Sequence, residues 1–137
     1  MTVTKRELLN DNYFKKGLVA LIDELQKTCH GLSVESGWWH DLSTGEMKER
    51  NKLEMLCLIH SEVSEACEGV RKDAMDDHLT ARKMEEVELA DALIRIFDYA
   101  GGHGLDLGGA LVEKLVYNQQ RADHKPENRL KSDGKKY

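Results

Sequence analysis

Two pairs of acidic residues at helical spacing constrain this chain more than any other feature. Glu62 and Glu65 stand in the run His60-Ser-Glu-Val-Ser-Glu-Ala66, and Glu88 and Asp91 in Glu85-Glu-Val-Glu-Leu-Ala-Asp-Ala92. Side chains three residues apart leave an α-helix from neighbouring points on one face. Like charges placed so repel, and a helix gains no stability from them. A divalent cation between them removes the repulsion. Four carboxylates from two helices make a hard-oxygen cage suited to Mg²⁺ or Mn²⁺, which points toward phosphate chemistry. A single Glu-x-x-Glu pair is commonly just a solvated face. Two such pairs, each beside the apolar stripe of its own helix and on consecutive helices, are harder to dismiss, and on spacing alone the metal reading stands level with the solvated face.

The rest of the composition agrees with helices. Pro126 is the sole proline, and β-branched residues are sparse, which favours helix over strand. At 137 residues one domain is expected over 1–137, large enough to bury a core. The net charge of −5 argues against non-specific nucleic-acid binding, which requires a basic surface. Cys29, Cys57 and Cys67 are odd in number and form no metal-binding or disulfide pattern. With no apolar leader and no run of membrane-spanning length, a cytoplasmic protein without membrane contact is expected.

Periodicity predicts four main helices. The first runs from about Asn12, capped by Asn10 or Asp11, to His30, with Gly31 as its stop. An irregular loop over about 31–46 follows and carries both Trp38 and Trp39. The second helix is expected from about Glu46 to Lys72, with Leu56, Ile59, Val63, Ala66 and Val70 facing inward. The third spans about Thr80 to Ala100, capped by Thr80 or Asp77, with Val87, Ala90, Ile94 and Phe97 inward. The fourth runs from Leu107, capped by Asp106, to about Ala122. An irregular basic tail occupies about 125–137. Short connections favour antiparallel neighbours, so the fold expected is all-α and bundle-like, with Glu62 and Glu65 brought opposite Glu88 and Asp91. Glu85 is a spare carboxylate near them. Of the two tryptophans, one is expected in the core and the other to present its indole to a ligand.

Two rival readings stand beside a magnesium enzyme. A di-iron carboxylate bundle wants Glu-x-x-His motifs, whereas carboxylates occupy the positions three after Glu62 and Glu88. A non-catalytic helical interaction or dimerisation module would use the same acids as solvated faces.

The segment from Glu54 to Lys72, followed by Glu86-Val-Glu-Leu-Ala-Asp-Ala-Leu-Ile-Arg95, resembles the signature of the MazG-like all-α nucleoside triphosphate pyrophosphohydrolases, the superfamily that includes dUTPases and dCTPases. Glu113-Lys-Leu-Val-Tyr-Asn-Gln-Gln-Arg121 and Asp133-Gly-Lys-Lys-Tyr137 resemble the closing helix and basic tail of that family. The likeness covers about residue 52 to the end. It implies hydrolysis between the α and β phosphates of a nucleoside triphosphate, giving a monophosphate and pyrophosphate in nucleotide-pool control. It further implies Mg²⁺, with Mn²⁺ as a substitute, on the catalytic and metal-binding residues Glu62, Glu65, Glu88 and Asp91. Lys114, Asn118, Arg121 and Lys135 fall at positions similar to its phosphate contacts, and Trp38 or Trp39 is the candidate for stacking on the base. A homodimer or homotetramer, associating through helices, is the assembly that the likeness implies.

Overall fold

The computed structural model describes residues 3–133. Every regular element among them is helical: α1 (Lys5–Leu8), α2 (Asn12–Glu35), α3 (Lys52–Lys72), α4 (Met84–Gly102), α5 (Leu107–Gln120) and α6 (Pro126–Arg129), with a 3₁₀ turn at Ala122–His124. Strand-like pairing among the described residues is limited to two isolated bridges, His40 with Met47 and Met75 with Lys83. No helix among the described residues is long and apolar enough to cross a membrane.

The chain divides into two compact units. One comprises the residues up to Glu24 together with those from Asp106 onward; the other is Leu25–Leu105. In the first, Thr4 and Glu7 form a reciprocal capping box on α1. Asp11 accepts from the Phe14 amide at 2.8 Å and starts α2. Asp106 caps α5 through the Gly109 amide, also at 2.8 Å. Gly108 packs against Val19 and Asp23. Pro126 takes the first turn of α6, where its missing N–H costs nothing.

The second unit holds the part of α2 from Leu25 onward, the Trp loop, and α3 and α4 as an antiparallel hairpin. Asn51 caps α3, accepting from Leu53 and Glu54 amides. Arg71 and Lys72 in its last turn favour the negative end of the helix dipole, and Asp73 closes it in a left-handed conformation (φ 48°). The hairpin is tight where α4 begins. A Cβ on Gly69 would stand 3.0 Å from the Glu85 amide nitrogen and from the Met84 side chain.

Several boundaries differ from the sequence reading. Gly31 does not stop α2, since it keeps a helical φ and the helix runs on to Glu35. The stop is Gly37, at φ 77°. There the Trp38 amide donates to Ser33 O and the Gly37 amide to Val34 O, a Schellman-type end. The irregular stretch therefore occupies 36–51. α3 starts at Lys52 rather than Glu46, because Asn51 supplies the cap and Gly45 is left-handed. α4 starts at Met84 rather than Thr80. Asp76 folds the preceding residues into a turn by accepting from the His78 and Leu79 amides. α5 ends at Gln120, with Arg121 extended beyond it. Part of the expected irregular tail is α6.

The inward faces differ too. α3 buries Met55, Glu62, Ala66 and Gly69, and α4 buries Glu88, Ala92, Phe97 and Ala100. Leu56, Val63 and Val70 on α3 are exposed, as are Ala90 and Ile94 on α4. The close approach of the two helices selects small residues at their contact, and this turns the larger aliphatic stripe outward.

Candidate metal centre and the adjoining cavity

Glu62 and Glu88 lie on the buried faces of facing helices, at 6% and 9% exposure. Glu65, one turn after Glu62, is exposed at the edge. One carboxylate oxygen from each of Glu62, Glu65 and Glu88 falls within 4.8 Å of the other two. Asp91 is not among these three, but its charge still acts on the group. Its carboxyl is raised above the ordinary value by burial first and by the Glu62 charge second; Arg95 opposes and Asp76 adds to the rise. Glu88 is raised by burial, then by the Glu65 charge, by its hydrogen bond with Glu62, and by the charges of Glu62 and Asp91. Burial and like charge both disfavour the ionised form.

One guanidinium answers this negative charge directly: Arg95 Nε donates to Glu62 Oε1 at 2.5 Å. Glu62 has little exposed surface, so the pair is buried on its acidic side only. The donor set is three hard oxygens, which fits Mg²⁺ or Mn²⁺ and lacks the imidazole or thiolate that zinc and di-iron sites commonly add. Glu85 is exposed in the first turn of α4. His60 is exposed, and its carbonyl accepts from Ser64.

Beside the acids, and wholly within the second unit, is a cavity of about 450 Å³. Its walls include Leu32, Trp38, Arg50, Leu58, Asp91 and Arg95. Two shallower grooves of about 440 and 400 Å³ flank the Asn12–Asp23 part of α2 and contain none of the candidate residues.

The two tryptophans take opposite roles. Trp39 is 5% exposed, with His30 and His103 edge-on to it at 5.0 and 5.5 Å and Arg50 over its face at 5.2 Å. Its indole Nε1 donates to Asp98 Oδ1 at 2.7 Å. Asp98 also bonds His30 Nδ1 at 2.9 Å and accepts from Ser33 Oγ at 3.0 Å, so this one carboxylate fastens α2, the loop and α4 together. Trp38 is 63% exposed and stands in the cavity wall, its carbonyl accepting from Arg50. Asp41 is occupied by its own turn. Bonds from Ser43 and Thr44 hold its carboxyl down at about 2.

In the first unit, Lys114 is exposed with its ammonium over the Tyr117 ring at 4.8 Å. Asn118 has a buried side-chain oxygen without a hydrogen-bond partner. Arg121, expected within the fourth helix, instead sits past the helix end and grips Asp123 with a two-pronged bond of 2.9 and 2.6 Å. Lys135 lies outside the described residues.

The sequence reading gave no role to Arg50, Arg95, Asp98 or His30. Asp91, Arg95 and Asp98 recur at four- and three-residue spacing on α4, a signal available in the sequence but indistinguishable there from a solvated charged face. No family model, no curated protein and no solved structure matches this chain.

Proposed function

We propose that this chain is a magnesium-dependent nucleoside triphosphate pyrophosphohydrolase of the MazG-like kind, cleaving between the α and β phosphates. The observation that carries the reading is the convergence of Glu62, Glu65 and Glu88 from two helices on one point. A cluster so acidic, with two members buried, costs stability unless a cation joins it.

A divalent ion held there would neutralise phosphate oxygens and acidify a bound water. The chain's own residues do the rest. Glu62 and Glu88 supply inward-facing oxygens and Glu65 one at the solvent edge. Asp91, with its raised carboxyl and its place in the cavity wall, stands between the acids and whatever the cavity holds. Trp38 offers an exposed indole face, worth about 1–3 kcal/mol when a base stacks on it. Arg50 offers positive charge to an anionic ligand. Lys114 and Asn118, with Arg121 and Lys135, remain the phosphate contacts that the resemblance assigns. The cavity volume of about 450 Å³ suits a nucleoside.

Self-association belongs to the same proposal. Leu56, Val63 and Val70 recur every seven residues on α3 and are 40%, 45% and 61% exposed; Leu89 and Leu93 on α4 are 51% and 53% exposed. A lone domain seldom leaves such a stripe uncovered, so a homodimer or homotetramer joined through helices is expected. The same stripe is what favours a purely interacting module as the second reading.

Pyrophosphate release from a panel of ribo- and deoxynucleoside triphosphates with Mg²⁺ separates the two. Turnover that is lost in Glu65→Gln, with helicity retained, supports the enzyme. A mutant with full turnover, or a wild type inert across the panel, overturns it.

A further inference from the structure

We infer that Arg95 is an ion-responsive positioning residue: it neutralises Glu62 while the acid cluster is empty and turns into the adjoining cavity when a divalent cation takes Glu62. The inference rests on the metal reading above and goes beyond it in giving the cavity a donor that depends on the ion.

Three observations place Arg95 between the two sites. Its Nε donates to Glu62, which is one of the three converging acids. Its side chain is 44% exposed, so it has room to move, while that of Glu62 is 8% exposed and has little. It also lines the 450 Å³ cavity with Trp38, Arg50 and Asp91. A cation on Glu62 claims the oxygen that Arg95 now uses and repels the guanidinium. The two other acids on the same flank of α4 decide where Arg95 goes. Asp98 already serves His30, Ser33 and Trp39. Asp91 lies one turn back, in the cavity wall. The displaced guanidinium therefore stays on the cavity side and joins Arg50 as a second planar donor. Such a pair favours a ligand bearing anionic oxygens.

Titrating the full-length protein with Mn²⁺ alone, by calorimetry, tests the exchange. Arg95→Gln removes the competitor, and Mn²⁺ affinity should rise about tenfold, the effect of losing one charge-assisted bond. Arg95→Lys keeps the charge and should stay near wild type. A merely structural role for Arg95 would lower Mn²⁺ affinity or leave it unchanged in Arg95→Gln, and either result overturns the inference. Glu62→Gln reports on the ion site itself. If Mn²⁺ affinity is unaffected there, the metal reading falls; if it collapses there but does not rise in Arg95→Gln, the metal reading stands and the role of Arg95 falls. A second arm uses a nucleoside triphosphate with a methylene bridge between the α and β phosphorus atoms. Mn²⁺ should tighten its binding to the wild type more than to Arg95→Gln, and equal tightening in both overturns the inference.

Discussion

Glu88 lies on the buried side of α4 with Glu62 and Glu65 facing it from α3, Asp91 beside it on its own helix, and Arg95 paired with Glu62. Its carboxyl is raised above the ordinary 4.5, so the folded chain holds this proton more tightly than the unfolded chain does. The stability it contributes is complete below the ordinary value and is lost as the pH rises through the raised one. Ion-free protein should therefore lose urea resistance through Glu88 as the pH rises above the ordinary 4.5. His103 has the opposite sign: burial, then the charge of Lys52, lowers its pKa, so its stability is gained as the pH rises. Comparing wild type with Glu88→Gln isolates the carboxyl. The mutant should be the more stable at pH 7.5 without Mg²⁺ and the less stable with it. Asp98 poses a different single-residue question. Asp98→Ala strands the Trp39 Nε1, Ser33 and His30 groups, with an expected cost on the order of 3 kcal/mol in urea unfolding and a red-shifted tryptophan emission.

At the scale of elements, capping chemistry was legible at two helix starts, Asp11 at α2 and Asp106 at α5, whereas Asn51 at α3 was passed over for a start near Glu46. Gly31 misled because glycine marks a helix end only when the backbone turns left-handed, and here the turn is made six residues later by Gly37. A Cβ on Gly31 meets nothing within 4 Å. Gly31→Ala should therefore stabilise the protein by about 0.4–1 kcal/mol in thermal or urea unfolding. Gly69 behaves oppositely. Gly69→Leu drives atoms into the start of α4 and should cost about 1–3 kcal/mol. The inward faces of α3 and α4 were legible only in part. Ala66 and Phe97 are buried where the hydropathy pattern puts them, but it also places Leu56, Val63 and Val70 inside, whereas close helix approach rewards Gly69 and Ala92.

For the molecule as a whole, that outward stripe predicts association between copies. Val63→Glu should shift the mass measured by sedimentation toward the monomer without loss of helicity, and a wild type that is monomeric at tens of micromolar would refute the assembly. The all-helical class followed from composition and periodicity. Of the candidate centre, the spacing named Glu62, Glu65, Glu88 and Asp91, and the structure draws three of the four onto one point. Arg95 was placed on the flank of Glu88 and Asp91, but its pairing with Glu62 and the cavity were not legible, since both depend on which residues of separate helices meet. An anomalous difference map from crystals grown with Mn²⁺ tests the central claim most directly. A peak within about 2.3 Å of oxygens from Glu62, Glu65 and Glu88 is the predicted result. A saturated crystal with no peak at these three side chains, or with its ion on other acids, would contradict it.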